Sequence, residues 1–195
     1  MIHFTKVRWK NFLSTGNNFT EVQLDRQTTT LIIGENGSGK STILDALCFV
    51  LFNKPFRQIS KLQLLNSINQ REAEVEVEFT TQNKKVKIIR GIKPNKFEIY
   101  VDDVMINQNA NAKDYQKHLE QQILKFNYRS FTQVVILGSS TFVPFMQLNS
   151  KARREVVEDI LDIKIFSLMN LVLKTKVKEV NTNLTDSGYA TDLTK

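Results

Sequence analysis

The stretch Gly34-Glu-Asn-Gly-Ser-Gly-Lys-Ser41 restricts this chain more than any other. It fits the spacing G-x-x-x-x-G-K-[ST] at every fixed position. Leu31, Ile32 and Ile33 precede it, and the pattern predicts a short buried strand over 30–33. A run apolar on nearly all sides follows to Phe52, which predicts a helix inside a domain. A turn with three glycines can bring several backbone N–H groups to one small volume, because glycine allows the backbone angles and the close approach. The start of the helix adds free N–H groups and a positive dipole end. Lys40 supplies a point charge and the Ser41 hydroxyl a ligand for Mg²⁺. The chemistry predicted is a cradle for a magnesium-bound triphosphate. Its nucleotide-binding residues are Asn36, Gly37, Ser38, Gly39, Lys40, Ser41 and Thr42, with Ser41 also on the metal.

The remaining patterns predict a sheet and several helices. Ile2, Phe4, Val7 and Trp9 alternate with polar residues and read as a half-buried strand. LSTGNN is a turn cluster, and Phe19, Val22 and Leu24 suggest a second strand. Residues 58–72 are polar and irregular. A meander follows: 72–79, 86–92, 96–101 and 104–106. Glu-bearing strands lie beside Lys-bearing ones, so cross-strand ion pairs are expected on its solvated face. Residues 113–126 read as an amphipathic helix, and FTQVVIL, 131–137, as a buried strand. From Ser150 the pattern is helical, and Phe166, Met169, Leu173, Val177, Val180 and Leu184 repeat like one seam of a coiled coil. The reading divides the chain into a lobe, 1–160, and the start of a coiled-coil helix, 161–195.

Composition adds bounds. The chain has 195 residues, 41% hydrophobic and 24% charged, as in ordinary globular proteins. The net charge of +7 favours a polyanionic partner, with Lys84, Lys85, Lys87, Arg90, Lys93 and Lys96 as candidate phosphate contacts. A lone cysteine, Cys48, in the apolar helix reads as core and fits a reducing compartment. No apolar run is long enough to span a bilayer. A nucleotide-cleaving site also needs a carboxylate on the metal and a group that orients water. Asp102 and Asp103 end an apolar strand but read as a hairpin turn. Glu158, Asp159 and Asp162 fall on the solvent side of a helical pattern. His3 and His118 stand in no ligand spacing. The cradle is therefore strong and the hydrolytic machinery missing.

KNFLSTG, LIIGENGSGKSTILDAL, the meander, FTQVVILGSSTFVPFMQL and SKARREVVEDILDIKIF together resemble the N-terminal lobe of ABC-type ATPases of chromosome maintenance and recombination repair. The resemblance is strongest to the ATPase subunit of SbcC-like recombination nucleases and its T-even phage relatives. It implies an α/β P-loop NTPase of the ABC ATPase type: a mixed sheet with an antiparallel meander, a central P-loop helix, and a C-terminal helix entering a coiled coil. It implies ATP and Mg²⁺ as ligands. It also implies a C-terminal lobe of the same protein that brings the metal-binding Asp, the catalytic Glu and an LSGGQ-type motif. A second copy would pair with the first on ATP as a homodimer. A metal-dependent nuclease subunit and double-stranded DNA are the further partners, in the cytoplasm (that of the host for a phage protein) and with no membrane. Family members carry a glutamine after the strand matching VVIL; this chain has Ser139 near that slot, as a second metal-side candidate, and Gln133 at the other end of the strand. Leu13 stands where several relatives have an arginine, which leaves Ser14 to contact base or ribose. Arg153 and Arg154 would belong to a lever between ATP state and coil. The alternative is an ATP-gated DNA clamp with no associated nuclease.

Overall fold

The computed structural model describes residues 2–106, 112–136, 143–161 and 163–192. It divides into two units, Met1–Pro144 and Phe145–Lys195.

In the first unit six strands form one sheet: β1 (Ile2–Lys10), β2 (Thr20–Gln23), β3 (Ala73–Thr81), β4 (Lys84–Ile92), β5 (Lys96–Val101) and β6 (Val104–Met105). Their order is β2-β1-β3-β4-β5-β6, and every pairing is antiparallel. The turns explain the meander. Gln82 and Asn83 join β3 to β4 with φ of 49° and 62°, and Asp102 and Asp103 join β5 to β6 with φ of 49° and 64°. Two successive residues of positive φ twist the strands in the sense a hairpin needs. Asp102 also accepts a hydrogen bond from the Lys85 amide at 2.9 Å, so this acidic pair closes a hairpin.

Alternation along β3 puts Val75, Val77 and Phe79 on the face that meets α1 (Thr42–Phe52). From Asp45 to Phe52 every residue of α1 is buried. The helix stops at Asn53, whose left-handed backbone turns its N–H to the Phe49 carbonyl. Arg90, on the core side of β4, donates to the Val50 carbonyl at 3.0 Å and to Gln116 at 2.8 Å. Gln116 in turn donates to the Leu51 carbonyl. Arg90 is therefore no phosphate contact: the period-two pattern of β4 carries it inward, where it satisfies the last carbonyls of α1 and stacks on Phe97. Cys48 is buried, and burial, with Asp45 nearby, pushes its thiol up to about 12.

The other sheet face carries the expected charge ladder. Glu76 accepts from Arg8 at 2.8 Å and from Lys87 at 2.9 Å; Lys6 pairs with Glu78 and Lys96 with Glu74.

Two of the expected strands do not form. Residues 30–33 join no strand, and Leu31 and Ile33 are 80% and 82% exposed. An apolar run favours burial, but extended backbone becomes a strand only beside a partner, and none of the described strands lies along it. Tyr128–Val134 is a helix, α3, in place of the expected strand. Asn127 caps it by accepting from the Ser130 amide, and Phe131 packs among Phe4, Phe52 and Phe126 while Val134 and Val135 stay half exposed. Gln133 therefore sits on a helix. The helix expected over 113–126 is present as α2 (Ala112–His118) continued by a wider π turn, Leu119–Leu124. In the second unit α4 (Ser150–Ile160) is followed by α5 (Lys164–Asp192), whose seam residues from Phe166 to Leu184 are all more than half exposed.

Burial pushes the Glu76 carboxyl up, but the hydrogen bonds and charges of Lys87 and Arg8 outweigh it and hold it below its ordinary range. Its contribution to stability is complete above the unfolded carboxylate value of about 4.3 and fades as pH falls through the lower folded value. Glu76→Gln should cost about 2 kcal/mol at neutral pH and flatten the loss of stability below about pH 4.5. Urea unfolding of both proteins across acid pH measures this.

Candidate functional site

The buried α1 fixes where its own first turn lies, and the phosphate loop is that turn's entrance. Gly37 and Gly39 take φ of 86° and 92°, a region that favours glycine. At Gly34 an added Cβ would stand 2.6 Å from the Ser38 hydroxyl oxygen, so the loop closes on itself there. The Ser38 and Thr42 amides bond within the loop, to the Glu35 and Gly39 carbonyls. Those of Gly37, Gly39, Lys40 and Ser41 meet no protein acceptor among the described residues. Lys40 curls back, donating to the Gly34 and Glu35 carbonyls at 2.7 and 2.6 Å. Ser41 holds the N-cap position of α1, yet its hydroxyl makes no cap bond. These are free donors, one oriented ammonium and one uncommitted hydroxyl around one space. The set fits a polyphosphate and its Mg²⁺.

That space is a cavity of about 590 Å³ lined by Leu13, Ser14, Asn36, Gly37, Gly39, Lys40, Ser41, Thr42, Arg57, Gln63, Leu65 and Ser67. It gathers the expected Asn36, Gly37, Gly39, Lys40, Ser41, Thr42 and Ser14. Ser38 is turned toward Gly34 instead. Ser139 lies outside the described residues. Among the described residues no group of three or more His, Cys, Asp or Glu side chains could hold a metal ion, and no helix is long and apolar enough to cross a membrane.

Sequence reading missed Arg57 and the wall formed by Gln63, Leu65 and Ser67. A signal for Arg57 existed. Asp45 stands in a helix with no polar side, and a buried carboxylate needs a cation or several donors. Asp45 has no exposure at all. It accepts from the Phe56 and Arg57 amides at 3.2 and 3.1 Å and from the Arg57 guanidinium at 2.7 and 2.6 Å. The pair ties the exit of α1 back to its first turn and sets Arg57, half exposed, at the rim of the cavity.

A phosphate loop opening a buried helix, against an antiparallel sheet, defines the N-terminal lobe of a P-loop ATPase head of the ABC type. Residues 6–186 match the family model described as an AAA domain. The chain belongs to that family, and it matches the N-terminal lobe of SbcC-like ATPases. Exonuclease subunit 2 of Escherichia phage RB69 is 44% identical over 176 residues, 90% of this chain and 31% of that protein. The protein of the same name from Enterobacteria phage T4 is 44% identical over 172 residues, 88% of this chain and 30% of its own length. The DNA double-strand break repair Rad50 ATPase of Thermoplasma volcanium is 24% identical across 94% of this chain and 20% of its own length. Among solved structures, the Smc head domain with a coiled coil and joint from Pyrococcus yayanosii superposes with a TM-score of 0.61 at 21% identity, covering 95% of this chain and 37% of that one. These likenesses establish the fold. The chain spans about a third of the length of the phage relatives.

Asp45→Ala leaves two amides and a guanidinium without their buried acceptor. It should lower stability by about 3 kcal/mol, measured by urea unfolding.

Proposed function

We propose that this chain is the ATP-binding lobe of a DNA recombination and repair ATPase that pairs on ATP, binds double-stranded DNA and regulates a partner nuclease. The observation that carries the reading is the cavity, where unengaged amides, Lys40 and Ser41 converge. The amides of Gly37, Gly39, Lys40 and Ser41 would hold the β and γ phosphates. Lys40 adds a charge already oriented by two carbonyls, and the Ser41 hydroxyl takes one position on Mg²⁺. Arg57 offers a second cation at the rim. Ser14, Gln63 and Ser67 face the nucleoside end. The nuclease link is supported by relatives named as exonuclease subunits at 44% identity.

Bound Mg²⁺ supplies charge neutralisation on the phosphates. The carboxylates that would complete hydrolysis are assigned to a C-terminal lobe of the same protein. Two features support such a partner. Leu31, Ile32 and Ile33 form an exposed apolar segment outside the described strands, suited to a neighbouring strand. The apolar seam of α5 is suited to a second helix. Pairing of two heads across ATP belongs to the same reading.

Lys40→Ala should weaken binding of a fluorescent ATP analogue in the presence of Mg²⁺ by about 100-fold or more, since a charged contact is lost; unchanged affinity refutes the cradle. The 195-residue chain alone should hydrolyse ATP at the rate of a buffer blank in a phosphate-release assay, and sustained turnover would place the catalytic carboxylates inside it.

A further inference from the structure

Beside the phosphate loop, the cavity is lined from two segments distant in sequence, by Leu13 and Ser14 and by Gln63, Leu65 and Ser67. Side-chain amides knit the first to residues 66–72. Asn11 donates to Asn17 at 2.9 Å and accepts from Asn69 at 2.6 Å. Its carbonyl accepts from the Asn66 amide at 3.0 Å. Asn66 is the centre of this lattice. It is 6% exposed, and its side chain uses every valence it has. The NH₂ group donates to the Leu13 carbonyl at 3.1 Å and to the Thr15 carbonyl at 3.0 Å. The oxygen accepts from the Ile68 and Asn69 amides, both at 3.0 Å. Flipping the amide would set oxygen against two carbonyls and nitrogen against two N–H groups, so its orientation is fixed by its partners.

Two facts connect this lattice to ligand binding. Leu13 has a φ of 53°, a left-handed backbone that a bulky side chain adopts only when its surroundings impose it. The Leu13 amide is held by the Leu64 carbonyl at 2.7 Å and its carbonyl by Asn66. Ser14 stands between the two carbonyls that Asn66 pins. Its hydroxyl oxygen lies 3.9 Å from where a Cβ on Gly39 would stand. The turn is strained, over-determined and aimed at the phosphate loop.

We propose that Asn66 is a positioning residue for nucleotide binding: it imposes the Leu13 turn, so that Ser14 is held beside Gly39 and the cavity prefers a nucleoside triphosphate to a bare polyphosphate. Asn66 itself touches no ligand. The proposal rests on the Mg-ATP reading of the cavity above. The phosphate loop makes its contacts without Asn66, so the two ligands separate the roles.

The test measures affinities for Mg-ATP and for Mg-tripolyphosphate by calorimetry. Asn66→Asp keeps the oxygen that accepts from Ile68 and Asn69 and removes both donors to Leu13 and Thr15. It should weaken Mg-ATP about tenfold and leave tripolyphosphate within about twofold. Adding Ser14→Ala to Asn66→Asp should weaken Mg-ATP no further, because both act at one point. Equal losses for the two ligands, no loss for either, or multiplying effects of the two substitutions overturn the proposal. Where Asn66→Asp does not fold, Ser14→Ala alone, at an exposed side chain, carries the test: a loss confined to Mg-ATP supports it, and an equal or absent loss overturns it. Lys40→Ala should weaken binding of both ligands by about 100-fold or more. If it leaves both intact, the phosphate-cradle reading falls and the proposal with it, whereas loss of both with an unselective Asn66→Asp sinks the Asn66 role alone.

Discussion

A helix with no polar side must be surrounded, and α1 is. Its residues from Asp45 to Phe52 are shut against β1, β3 and β4, so the helix has no freedom to slide or roll without opening the core. Its first turn is thereby fixed in space, and the loop that feeds it inherits that position. The free amides of the phosphate loop converge because the helix behind them is immobilised by packing. Polar side chains tie down both ends of this helix. Asp45 returns the exit loop to the first turn, while Arg90 and Gln116 close the last carbonyls.

The same helix shows how charge and packing divide their tasks. Asp45 is costly inside an apolar surface unless its oxygens are occupied, and four donors occupy them. That requirement makes the route of residues 53–57 nearly unique. A guanidinium reaches the cavity rim as a by-product of satisfying a carboxylate. Asn66 repeats the logic with neutral groups, since a buried amide with four partners leaves its neighbours one arrangement.

Much of this was legible in the sequence, and the reasons differ by element. The phosphate loop is local: its glycines, lysine and serine carry their chemistry in fixed spacing. The meander was legible because EAEVEVEF and VKIIRGI alternate with period two and end in turn residues. Arg90 was not, since its inward address follows from register with Val75 and from carbonyls of a distant helix. The run FTQVVIL reads equally as strand or helix by hydrophobicity, and Asn127 as a cap decides for helix. Arg57, Gln63, Leu65 and Ser67 reach the cavity through tertiary contacts that no spacing encodes.

The exposed run Leu31-Ile32-Ile33 has a practical consequence. It is short, β-branched in two of three positions, free of charge, and paired with none of the described strands. Such an edge can template a like segment from another molecule. Stickiness of this origin needs no ATP and grows with protein concentration and with salt, opposite to contacts made through surface charge. Association of this kind is chemically separable from the proposed pairing on ATP, since only the latter would be lost when nucleotide is withdrawn.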